Sequence, residues 1–254
     1  MFKQQQTKLS KAIAISLLIL GLVIIIISAF IASSFLAILG VAFLFWGAIL
    51  FNITPTKQVP ITMFYGVLEG MTGNIERIIN ELGLSQPGIY LPPKNLDSSI
   101  IIIPKKSKIS LPSTDEITDR LITNREDGVI IAPPGASLCR LFEHELNHSF
   151  IKLNLKELQV KLPKLLVERM ELAEKIEIKV QNSTVILDIS RSILNKICRQ
   201  TDLQPKTHKQ VGCLLSSAIA CALAKASGKP VTIKNENRNQ ETKTTHIEYQ
   251  ILEE

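Results

Sequence analysis

From Ala12 to Ile53 the chain carries no charged residue. Those 42 mostly apolar positions exceed one membrane span of about 20 residues and suit two. Ala32-Ser33-Ser34 is the small, polar break between them. The pattern therefore predicts helices over Ala12–Phe30 and Phe35–Ile53, folded into a tight transmembrane hairpin.

Beyond a linker marked by Pro55 and Pro60 the period changes. Phe64, Leu68, Met71, Ile75, Ile78 and Leu82 recur at spacings of three and four and Gly83 follows, which predicts one amphipathic helix over Thr62–Leu82. Gly66, Gly70 and Gly73 weaken it by up to about 1 kcal/mol each relative to alanine, so close packing is expected there. The stripe calls for an apolar partner, either its own domain or a second copy of the chain.

"SSIIIIPKK" and "DGVIIAPPG" read as buried strands. A helix is expected after Pro133-Pro134-Gly135, capped by Ser137 with Leu138, Phe142 and Leu146 facing the core, and "HSFIKLN" as its end and a strand. Asn154 with Glu157 resembles a helix start, and Pro163 suits the first turn of a further helix over "LPKLLVERMELA". "EKIEIKV" and "TVILDIS" alternate around Gln181-Asn182-Ser183, which predicts a β-hairpin. "GCLLSSAIACALAKASG" predicts a buried helix, and "KPVTIKN" and "TTHIEYQIL" a second hairpin around a polar loop from Glu236 to Lys243. The expected class is α+β. Its parts are a basic N-terminus (1–11), a transmembrane helical hairpin (12–53), a linker (54–61) and a domain of β-hairpins packed on helices (62–254).

Charge refines this picture. Lys3, Lys8 and Lys11 precede the first span, Lys57 follows the second, and the turn between has none. Lysines beside a span resist translocation, so both termini are expected in the cytoplasm of a two-span membrane protein. A cleaved signal peptide ending near "AFIASS" is the competing reading. The four lysines account for most of the imbalance between 29 basic and 23 acidic residues, so the pI near 9.1 points to the lipid surface and not to nucleic acid. Cys139, Cys198, Cys213 and Cys221 form no C-x-x-C pair, which fits unpaired thiols in a reducing compartment. Arg191, Lys196, Arg199, Lys206 and Lys209 form a basic run, and Asp188, Glu171 and Glu174 are ordinary surface acids in this reading.

One catalytic pattern is present. "FEHELNH" contains H-E-x-x-H, in which His144 and His148 would hold zinc and Glu145 would act as general base. Glu168, twenty residues beyond His148, is the candidate third ligand; the spacing is similar to that of the thermolysin-like metalloproteases, although Val167 stands where they carry asparagine. Against a zinc peptidase, His144 points away from the expected core face and His148 falls where the helix frays. The same short pattern arises by chance on exposed helices.

"IYLPPKNL", "APPGASLCRLFEHEL", "LPKLLVERMELAE", "GCLLSSAIACALAKASGKPV" and the closing "IEYQILEE" resemble a group of archaeal membrane-anchored proteins with no assigned activity. The resemblance covers residues 62–254 and implies a fold without a reaction. The last helix and hairpin are also similar to the small-molecule-binding vinyl reductase-type domain. The expected function is a non-enzymatic binding or interaction domain, without cofactor or metal, tethered to the bilayer. Its expected partners are lipid, a small ligand, and a protein or second copy. A membrane-bound zinc metalloprotease and a small-molecule-binding vinyl reductase-like sensor domain are the alternatives.

Overall fold

A computed structural model of the chain describes residues 2–31, 33–52, 61–93, 99–106, 122–125, 128–193, 204–239 and 241–253. Ala32, Ile53, Pro55, Lys57, Pro60, Lys196, Cys198 and Arg199 lie outside the described residues, as do the side chains of Lys3, Lys8, Lys11 and Phe64. The chain forms two units, Met1–Pro60 and Ile61–Glu254.

In the first unit α1 (Phe2–Ile31) and α2 (Ser34–Asn52) pack against each other. Both are long and apolar enough to cross a membrane, over Ala12–Ile31 and Ser34–Asn52. Small residues sit at their contact. Ala14, Gly21 and Ser28 recur every seventh position along α1 and are buried, as are Gly40 and Gly47 on α2. A Cβ on Gly21 would stand 2.9 Å from the Gly40 carbonyl oxygen, so only glycine permits this approach. The outer surface shows large apolar side chains such as Phe30, Phe35 and Trp46.

The second unit is α+β. Its strands are β1 (Ile89–Leu91), β2 (Ile100–Pro104), β3 (Ile122–Arg125), β4 (Gly128–Ile131), β5 (Lys175–Gln181), β6 (Thr184–Ser190), β7 (Val231–Asn239) and β8 (Thr244–Ile251). All eight join one antiparallel sheet in the order β3-β4-β2-β1-β7-β8-β6-β5. The isoleucine run and "DGVIIAPPG" are thus strands of the same sheet as the two hairpins. The link is β1, which pairs with both β2 and β7. Three-residue β1 and polar β3 offer too short an alternation to be legible in sequence.

The inner face carries Tyr90, Ile101, Ile103, Val129, Ile131, Ile176, Ile178, Val185, Leu187, Ile189, Val231, Ile233, Ile247, Tyr249 and Ile251, all buried. Against it lies α7 (Leu214–Ser227), flanked by α4 (Ala136–Leu146), a 3-10 turn (Phe150–Lys152) and α5 (Leu155–Lys164). The stretch Pro205–Ser227 meets the length and composition of a span, but 83% of its most apolar window is buried in the domain. It is broken into α6 (Pro205–Val211) and α7 at Gly212, whose φ is +73°.

Several local expectations are corrected. "HSFIKLN" forms the 3-10 turn and no strand. Asn154 and Glu157 make a reciprocal capping box at the start of α5, but Pro163 lies inside that helix instead of opening another. Having no N–H to donate back one turn, it is followed by a π-helical turn, Leu165–Arg169. α3 (Ile61–Glu81) buries Leu68, Thr72 and Ile79, while Met71 of the expected stripe is half exposed. Its inward face is partly polar: Glu76 accepts hydrogen bonds from the Thr207 hydroxyl at 2.7 Å and its backbone N–H at 2.6 Å, which dock α3 on α6. A Cβ on Gly66 or Gly70 would meet nothing within 4 Å, so close packing does not explain those two glycines.

Candidate functional site

The H-E-x-x-H segment occupies the end of α4. This helix is capped by Gly135, not Ser137, whose exposed hydroxyl accepts from Arg140 at 3.2 Å. A Cβ on Gly135 would lie 2.1 Å from the Ala218 nitrogen, so α4 presses its first turn directly onto α7. That contact rolls the helix. Ala136, Cys139 and Phe142 are buried, while Leu138 and Leu146 are only partly covered. His144 is 84% exposed, with Nδ1 3.7 Å from the Glu145 carboxylate.

The helix stops before the second histidine. Asn147 adopts the left-handed conformation (φ 54°), and the N–H groups of Asn147 and His148 bond back to the carbonyls of His144 and Glu143. His148 Nδ1 lies 3.0 Å from the Leu146 carbonyl, so this ring and the Arg169 guanidinium, which donates to the Glu145 carbonyl, close off the helix C-terminus. The four-residue spacing of His144 and His148 consequently does not place them on one helical face. His148 and Glu168 do share a site: a shallow cleft of about 260 Å³ lined by Leu146, His148, Lys161, Lys164, Leu165, Glu168 and Arg169. The π-helical turn supplies Glu168 and Arg169, and such turns are frequent at functional sites. Among the described residues no three His, Cys, Asp or Glu side chains gather as a metal-ligand group.

The motif's neighbour Glu143 has the structural role. One carboxylate oxygen accepts from the Ser149 hydroxyl at 3.0 Å and the Phe150 N–H at 2.8 Å; the other meets Lys225 Nζ at 2.7 Å. Lys225 and Glu143 side chains are 6% and 15% exposed, an ion pair held inside the domain. Gly135 against Ala218 and Glu143 against Lys225 are contacts eight and seven residues apart on α4 and α7. Cys139 and Cys221 occupy the intermediate turns. Burial pushes both thiols up, Cys221 to about 12, which leaves them protonated and inert. Cys139, Cys213 and Cys221 are free and buried.

A second buried ionic cluster was hidden from the sequence because Glu236–Asn239 read as loop. They continue β7. A bulge at Lys234, between Ile233 opposite Tyr249 and Asn235 opposite Glu248, adds one residue and resets the alternation. Glu236 and Arg238 therefore fall on the inner face with Val231 and Ile233. Arg238 donates to the Glu236 carboxylate, and His208 Nε2 of α6 lies 3.2 Å from Glu236 and 2.9 Å from Arg238. One ring nitrogen can serve one of them at a time: protonated it donates to Glu236, deprotonated it accepts from Arg238. Burial raises the Glu236 pKa, but His208 and Arg238 outweigh it and hold the carboxyl at about 2. For His208 burial lowers the value and Glu236 more than restores it, a net rise.

The remaining basic and acidic positions separate. Arg191 pairs with Glu174 at 3.0 Å, Lys206 reaches Asn80, and Asp188 on the outer sheet face meets His246 at 2.7 Å.

Residues 2–250 match the family described as Domain of unknown function (DUF7982). The chain belongs to that family. No curated protein and no solved structure gives a significant match. The matched span includes both the apolar helices and most of the α+β domain, so the two belong to one family architecture.

Proposed function

We propose that the protein is a membrane-tethered binding module and not a peptidase. In this reading α1 and α2 cross the bilayer, and Lys3, Lys8, Lys11 and Lys57 keep both termini in the cytoplasm. The α+β domain there binds a small ligand or partner. The likeness of its last helix and hairpin to the small-molecule-binding vinyl reductase-type domain supports a binding role.

The observation that carries this reading is the end of α4 at Leu146. A zincin needs both imidazoles on one helix face with the glutamate beside the metal-bound water. Here His144 and Glu145 face solvent, whereas His148 enters a cleft with Lys161, Lys164 and Arg169. The shared cleft of His148 and Glu168 is the one feature that favours the zinc reading, and three cations around it oppose a dication. Orientation is tested with reporter fusions: Glu254 should report the cytoplasm and an insertion at Ser33 the outside. An external signal at Glu254 would reject the topology.

A further inference from the structure

We propose that the cleft beyond α4 binds a phosphate-type anion carrying a short apolar group. This rests on the binding-module reading and names the ligand class for its cleft.

The floor is apolar, made by Leu146 and the buried Leu165. The walls carry Lys161, Lys164 and Arg169 against one carboxylate, Glu168, so the fixed charge is +2 before His148 is counted. Among the described residues neither lysine has an ion-pair partner. Lys161 and Lys164, one helical turn apart on α5, and Arg169 of the π-helical turn, whose guanidinium also donates to the Glu145 carbonyl, border this one cleft from two elements. A phosphate monoester dianion matches that charge and offers more acceptor oxygens than a carboxylate. At about 260 Å³ the cleft lies below the roughly 300–1,000 Å³ of pockets that enclose drug-sized molecules, so it takes a head group with a few carbons. The source can be a soluble phosphate ester or the head group of a membrane lipid.

Glu168 makes the inference discriminating. A cation or metal in this cleft would use its carboxylate; an anion is repelled by it. The full chain in phosphatidylcholine nanodiscs is titrated calorimetrically at low salt with inorganic phosphate and with butyl phosphate. Saturable binding of both is expected, tighter for butyl phosphate by about fourfold for each methylene buried on the leucine floor. Glu168→Gln should tighten butyl phosphate by about threefold, the effect of one unit charge across a solvated cleft, and the double variant Lys161→Gln/Lys164→Gln should weaken it by about tenfold. Raising salt should weaken binding throughout. Unchanged circular dichroism and melting show that the double variant is folded.

Phosphatidic acid in the nanodisc separates the sources. If the lipid head group occupies the cleft, it raises the apparent Kd for butyl phosphate in the native chain and not in the double lysine variant; a soluble ester as the source leaves that Kd unchanged. No saturable binding, or weaker binding in Glu168→Gln, overturns the anion site while leaving the binding-module reading standing. Tight zinc that is lost in His148→Ala and Glu168→Gln overturns both.

Discussion

The charges at the end of α4 and those between α6 and β7 are made of the same residue types and behave in opposite ways. His144 and Glu145 form a sequence signature, yet stand in water 3.7 Å apart. His208, Glu236 and Arg238 form no signature, yet Glu236 is 4% exposed and its carboxyl is held at about 2. What separates them is backbone geometry: a left-handed Asn147 ends one helix before its second histidine, and a bulge at Lys234 turns two charged side chains inward. Motif spacing is read along the chain, while electrostatic work depends on which face the backbone presents.

The largest effect is expected at the buried pair beside the motif. Glu143→Gln or Lys225→Met should each lower the domain's unfolding free energy by about 3–5 kcal/mol, because each leaves the other charge buried without its partner. Glu143→Leu combined with Lys225→Met should recover much of that loss, as paired apolar replacements of buried ion pairs do. Denaturant titration of the chain in detergent measures both, and single losses that simply add in the double variant would show that the pair is not coupled.

Next comes Glu236→Gln, expected to cost about 2–3 kcal/mol by removing the shared carboxylate from Arg238 and His208. Its pH dependence fixes the sign. Glu236 is lowered on folding, so its contribution is full above the ordinary carboxyl value of about 4.5 and is lost as pH falls toward about 2. His208 is raised, so its contribution is full below the ordinary imidazole value of about 6.5 and fades as pH rises through its higher folded value. Native stability should therefore be flattest between those limits; Glu236→Gln should remove the acid slope and, leaving burial and Arg238 to lower His208, reverse the slope on the neutral side.

The smallest effect should come from the motif itself. His144→Ala and Glu145→Gln should each shift stability by less than about 0.5 kcal/mol, as for most exposed substitutions. A larger loss at either would mean that this helix end is held by more than its backbone caps.

Much of the architecture was legible. Uncharged length gave the two apolar helices, and strict alternation gave both C-terminal hairpins, because apolar residues leave a period wherever one face is buried. Legibility failed where polar residues do the packing. α3 buries Leu68 and packs Ile75 and Ile78, with Leu82 just after it, on the core as the apolar stripe predicts, but it also docks through Thr72 and Glu76, which the stripe does not include, and "NENRN" reads as loop because its inward residues are charged. A signal for the Glu143 pair did exist: Lys225 is the one charge in the buried run from Leu214 to Ser227, and a lone buried charge calls for a partner. The cleft was half legible. Sequence spacing joined His148 to Glu168, but the cations between them come from α5 and a π-helical turn produced where Pro163 interrupts the helix.

The most direct test of the central claim, that this helix end binds and does not hydrolyse, is the metal content of the purified full chain after dialysis, with His144→Ala beside it. Zinc well below one ion per chain, unchanged in His144→Ala, is the predicted result. One tightly held zinc per native chain, lost in His144→Ala, would contradict it.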